Sequence, residues 1–290
     1  MRHLEGFGGS LPCEFFETVL QSRSTHVNEL RKIKDRLEEV YSCYSTLISN
    51  FTQRIGKSQF IEQRENFISL YSHPPVQLSN YIRERRNNHD LDFCPYCGNP
   101  VRPDTLDHFI PKREWPEFSI FSNNLVPQCR ACAPIKGEKY YSDSDSCAIF
   151  IHPFYFNFMG NVKFHIEVEF DSKKENIIIN VVVKTKKLDQ ESQDRIALHA
   201  NNLKVRSRIE SYCHKEFNMW KRKRREKKFD IKNALMLRQS EIPKENIGKE
   251  WKSAFHSALL NSEETINYIN SIEEKKKSKS EDIYEGEVII

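Results

Sequence analysis

The stretch CRACAPIKG, residues 129–137, decides the reading of the fold. It sets Cys129 and Cys132 at Cys-x-x-Cys spacing, and a matching pair, Cys94 and Cys97, stands upstream in CPYCGNP with 31 residues between the pairs. Each such turn presents two sulfurs to one ion, and four thiolates in a tetrahedron are the donor set of a closed structural zinc site. Pro95 and Gly98 suit a tight knuckle at the first pair. The other cysteines, Cys13, Cys43, Cys147 and Cys213, are scattered, and Cys43 is expected on the apolar face of a helix.

Composition agrees with a reduced, cytoplasmic setting, in which paired cysteines clip metal rather than form disulfides. The 290 residues are 38% hydrophobic and 30% charged, with 19 Phe, 11 Tyr and 3 Trp to pack a core. The opening MRHLEGFGGSLPCEFF has no continuous apolar stretch after a basic start, so no signal peptide is expected. No run approaches the roughly 18 apolar residues of a membrane span. The net charge of +4 is modest, but KRKRREKK at 221–228 concentrates it.

Hydrophobic spacing divides the chain. Steps of three and four from Val27 through Leu30, Ile33, Leu37, Tyr41, Tyr44 and Ile48 to Phe51 predict one long helix over 25–55. Shorter helices are expected at 60–71 and 78–86, separated by SHPP, which cannot continue a helix. Across 90–150 the periodicity gives way to Pro, Cys, Asp and Asn. VKFHIEVEF at 162–170 then alternates strictly, DSKKEN turns, and IIINVVVKT returns, predicting a hairpin. Helical patterns resume over 189–228 and 251–272. The expected class is therefore α+β: a helical region 1–89 with a candidate partner-docking face, a core 90–150, a hairpin extension 151–187, a helical region 188–275 carrying the basic run, and a flexible acidic tail 276–290.

Between the cysteine pairs, TLDHF, NNLVPQ and the segment after Arg130 predict strand, loop, strand and the start of a helix. The string CPYCG…LDHFIPK…NNLVPQCRACAPIKG resembles the HNH endonuclease family, whose core is a zinc-stapled ββα-metal fold. Six separated features agree in order from Cys94 to Gly137. The resemblance implies His108 as the general base that activates water, Asp107 as a carboxylate ligand of catalytic Mg²⁺ or Mn²⁺, and Asn124 as the residue that fixes the loop and orients the histidine. It implies a phosphate contact for Lys136. Imidazole chemistry suits proton abstraction near neutral pH, and a hard divalent cation suits a developing phosphate charge. In overall layout the chain is similar to the nuclease subunits of Septu-type anti-phage systems. That layout implies an effector acting on DNA, or on RNA including tRNA, beside an ABC-type ATPase.

Ala133 departs from the family pattern. The residue after the fourth cysteine is usually Asn or His and serves as the second protein ligand of the catalytic ion; alanine has no donor atom. Three readings follow: a substitution that inactivates an otherwise intact nuclease, a degenerate nuclease that only binds, or recruitment of a substitute ligand such as Asp143 or His152. A non-catalytic zinc-dependent nucleic-acid-binding or scaffold module is the alternative to an enzyme. With a nuclease in view, Lys221, Arg222, Lys223, Arg224 and Arg225 become a candidate phosphate-binding patch. FIHPFYFNF at 150–158 reads as core packing.

Overall fold

In a computed structural model, which describes residues 1–5, 16–17, 19–23 and 25–274, the chain is an α+β protein with three separate two-stranded antiparallel sheets. The acidic tail expected at 276–290 lies outside the described residues, as does Cys13. No helix among the described residues is long and apolar enough to cross a membrane.

The long helix expected over 25–55 is three shorter ones: α1 (Thr25–Lys32), α2 (Lys34–Ser42) and α3 (Tyr44–Ser49). Ile33 leaves helical geometry at φ −116°, ψ 15°, and a second break falls at Cys43. The breaks let two tyrosines on successive segments reach one loop. The Tyr41 hydroxyl donates to the Glu117 carbonyl at 2.7 Å, and the Tyr44 hydroxyl donates to Asn124 Oδ1 at 2.8 Å. Cys43 itself is exposed rather than core, because the break turns it outward. Next come α4 (Arg64–Ser72) and α5 (Val76–Asn87), on either side of the expected prolines.

The central motif consists of β1 (Thr105–His108) and β2 (Leu125–Gln128), paired antiparallel with His108 opposite Leu125, followed by α6 (Ala133–Lys136). The helix is a single turn. Gly137 ends it with φ +53°, a value that glycine adopts without strain. A minimal sheet, β3 (Tyr141–Ser142) with β4 (Cys147–Ala148), leads into the aromatic run, where Phe150, Ile151, His152 and Phe154 are buried as expected.

The hairpin is as the alternation predicts. β5 (Val162–Asp171) pairs with β6 (Asn176–Thr185), with Val162, Phe164 and Ile166 buried on one face. The region expected to be helical over 189–228 breaks at Lys204, whose φ is +53°, into α7 (Gln190–Asn202) and α8 (Val205–Glu226). Helix α9 (Ile231–Ser240) carries too weak an apolar pattern to have been expected. The segment 251–272 is two helices, α10 (Trp251–Leu260) and α11 (Glu263–Ser271).

These later elements close on the cysteine knuckle. The Trp251 indole donates to the Cys97 carbonyl at 2.7 Å, and the Trp251 N–H donates to the Gly98 carbonyl at 3.1 Å. Gly98 sits at φ +77°, where a Cβ would lie 2.3 Å from the Phe164 ring, so the hairpin packs against a position only glycine can fill.

Candidate functional site

The four cysteine sulfurs of Cys94, Cys97, Cys129 and Cys132 are buried and lie within 4.8 Å of one another. A tetrahedral zinc with bonds of about 2.3 Å places its sulfurs about 3.8 Å apart. Cys97 Sγ and Cys129 Sγ are 3.8 Å apart, so the donor set fits. Burial pushes the Cys94 and Cys97 thiols well above their ordinary range, so thiolates at this depth require a cation. Asn99 N–H turns toward Cys97 Sγ at 3.4 Å, closing the knuckle.

One contributor gave no sequence signal. Arg208 on α8 donates to three of the sulfurs: Nη1 to Cys132 at 3.3 Å, and Nη2 to Cys97 at 3.5 Å and Cys129 at 3.8 Å. Four thiolates around a dication leave a net charge of about −2, which a guanidinium offsets. Its side chain also lies over the Trp251 ring, 5.4 Å from the centroid.

The knuckle reaches directly into the neighbouring site. Tyr96, between the two cysteines of the first pair, is fully buried and donates its hydroxyl to Asp107 Oδ2 at 2.8 Å. Its ring stacks on His199 with centroids 6.0 Å apart and an interplanar angle of 8°. His199 in turn accepts the Ile151 N–H on Nδ1 at 3.0 Å and donates Nε2–H to the Tyr96 carbonyl at 2.7 Å. Burial holds this imidazole down to about 3, which keeps it neutral. His199 is thus a structural bridge from α7 to the knuckle.

Asp107 and His108 occupy the end of β1. Asp107 is 8% exposed, and Lys136 of α6 lies 3.1 Å from the same Oδ2 oxygen. Lys136 is entirely buried; its ammonium also donates to the His108 and Phe109 carbonyls at 3.3 and 3.2 Å. The phosphate contact expected of Lys136 is therefore not made by this arrangement. All three N–H groups of the ammonium meet oxygens inside the protein, and they fasten the one-turn helix to the strand end.

Asn124 ties the loop together from inside. Its Oδ1 accepts from the Ile110 N–H at 2.7 Å and from Tyr44, while Nδ2 donates to the Ile110 and Phe118 carbonyls, both at 3.0 Å. His108 is half-buried, with Nε2 3.0 Å from the Ser119 carbonyl. A carbonyl only accepts, so Nε2 carries the proton and Nδ1 carries the lone pair. Burial, with the Lys112 and Lys136 charges adding to it, lowers the His108 pKa to about 3. The imidazole is a neutral base throughout the physiological range.

A resident Mg²⁺ or Mn²⁺ is not matched by the side chains present. Such ions take several oxygen ligands. Here Asp107 is one carboxylate with one oxygen already bound to Tyr96 and Lys136, and Ala133 offers no donor. Among the described residues, the four cysteines are the only cluster of three or more potential ligands. Neither substitute ligand is recruited. Asp143 is exposed and paired with Arg54 at 3.1 Å. His152 is fully buried, with Nε2 on the Asn123 carbonyl at 3.0 Å and Nδ1 accepting from the Phe154 N–H at 3.2 Å.

The basic run is split by the helix that carries it. Arg224 is buried and donates to the Asn270 carbonyl at 2.9 Å. Lys221 folds over Phe217 and donates to the Glu175 carbonyl, and Lys223 lies over Trp220. Arg222 and Arg225 are the exposed members of the five. They do not make one continuous cationic face.

In comparisons with known proteins, no family model and no solved structure matches the chain. It is similar to Protein ea31 of Escherichia phage lambda, at 33% identity over 100 residues. The match covers 29% of this chain and 33% of the phage protein, so the chain spans about a third of that relative's length.

Proposed function

We propose that this chain carries an HNH-type nuclease core directed at the phosphodiesters of nucleic acid, in a form lacking one donor of its hydrolytic centre. The observation that carries the reading is His108. A partly buried, neutral imidazole has one nitrogen anchored on a carbonyl and the other left as a base, on the strand that also carries Asp107 and in a chain with a zinc-type knuckle. In such a site His108 Nδ1 takes a proton from water, the new oxygen–phosphorus bond forms, and the P–O bond to the leaving oxygen breaks. Asn124 holds the loop so that the imidazole cannot swing away. The structural zinc supplies stability to a core too small to fold by burial alone. The side chains present leave the leaving oxygen without a cation, so Ala133 makes this form one that holds substrate rather than turning it over. The Septu-type layout extends the same proposal to a defence effector working beside an ABC-type ATPase.

A second reading, a zinc-dependent nucleic-acid-binding module without catalysis, is favoured by the Lys136 ammonium already seated on Asp107. One experiment separates the two. Both contacts to Asp107 fall on Oδ2, which leaves Oδ1 as the oxygen available to an ion. The zinc-loaded Ala133→Asn protein is expected to nick plasmid DNA or cleave total tRNA with Mn²⁺ or Mg²⁺, and Ala133→Asn with His108→Ala is expected to do neither. A folded Ala133→Asn protein that cuts neither substrate with either ion would leave the binding module as the surviving account.

A further inference from the structure

The open side of His108 is bordered by residues from outside the zinc core. Tyr71, at the end of α4, meets the imidazole edge-on, with centroids 4.3 Å apart and an interplanar angle of 71°. Two cations converge on that tyrosine from different elements. Lys112, in the loop after β1, places Nζ 4.5 Å from the ring centroid, and the Arg86 charge, on α5, opposes the burial that raises the Tyr71 hydroxyl's pKa. Among the described residues, neither cation has a carboxylate at ion-pair distance. The adjacent Arg113, by contrast, is matched by Glu138 at 3.0 Å. Lys112 is half-buried, and its charge acts on His108 more strongly than that of Lys136.

Two partly buried cations without an ion-pair partner beside the His108 ring make a place for an anion. A guanidinium supplies a planar fork and an ammonium supplies a point charge, the two donor types that take phosphate oxygens. We propose that Tyr71, Arg86 and Lys112 form a phosphate-binding subsite at the mouth of His108, which seats the backbone of a nucleic-acid strand. This deepens the nuclease reading and rests on it. The subsite belongs to the N-terminal helices and the loop after β1. The basic run on α8 contributes little to it, and the helices of region 1–89 act as substrate clamp rather than only as scaffold.

The test uses the full-length, zinc-loaded protein with Ala133 in place, so that cleavage does not blur binding. Anisotropy of a short fluorescein-labelled DNA duplex, and of an RNA of the same sequence, is followed across a salt series. Lys112→Gln and Arg86→Gln are each expected to weaken binding about tenfold near 0.1 M salt and to lower the salt slope by about one. Lys112→Arg is expected to restore both. Lys173→Gln, which removes the same charge at the tip of the hairpin, is expected to change neither. Zinc content and circular dichroism establish that each variant is folded. If the parent binds and both Gln variants match its affinity and slope, the subsite is overturned while the nuclease reading stands. If the parent binds neither probe, the nucleic-acid reading itself falls, and the subsite with it.

Discussion

Two sites built on the same short core differ in how complete they are. At the cysteine knuckle four donors converge, an arginine offsets their charge, and a tryptophan and a glycine lock the turn against the hairpin and α10. At the end of β1 the His108 ring is anchored and the loop is fastened, but the carboxylate is held by an internal ammonium and the alanine at 133 has no donor atom. Tyr96 joins the two, since it lies within the first cysteine turn and bonds Asp107. The difference teaches that the packing around the cysteine knuckle, rather than the groups at the end of β1, sets the positions of the strands.

Breaking the Asp107–Lys136 pair gives the largest effect expected at the incomplete site. Lys136→Met leaves a nearly buried carboxylate and two carbonyls without their ammonium, and is expected to cost about 3 kcal/mol in urea unfolding of the zinc-loaded protein. Asp107→Asn added to it should recover part of that loss, because the stranded charge is gone. Unchanged stability in the single variant would mean that the pair does not fasten α6.

A smaller effect sharpens the other half of the comparison. Arg208→Met removes the guanidinium from three sulfurs while keeping much of the side chain over Trp251. Zinc transfer to a colorimetric chelator is expected to be favoured about tenfold over the parent, the usual scale for groups that support metal ligands from behind. Identical competition curves would reduce Arg208 to packing.

What the sequence revealed follows the range over which each signal acts. The cysteine pairs, the strict alternation of 162–170 and the Asp-His and Asn-Leu dipeptides are local patterns, and each element appears where it is expected. The breaks at Ile33, Cys43 and Lys204 were not legible, because the apolar stripe runs through all three and tertiary contacts such as Tyr41 and Tyr44 on the 116–124 loop decide them. Arg208 could not have been found: its partners lie 76 to 111 residues away. Lys136 is instructive in a different way. A lysine after a cysteine pair reads as a surface cation, yet a one-turn helix directs it inward, where three oxygens meet its three protons. The run at 221–225 fails as one patch for a related reason, since consecutive residues on a helix point about 100° apart and one of them must face the core.

The staple can be measured directly. Zinc-edge X-ray absorption on the purified full-length protein should show one ion per chain with four sulfur neighbours at about 2.3 Å, and the same protein with Cys129→Ser should have lost the ion. A protein that folds without zinc, or a shell built from nitrogen and oxygen, would contradict the account.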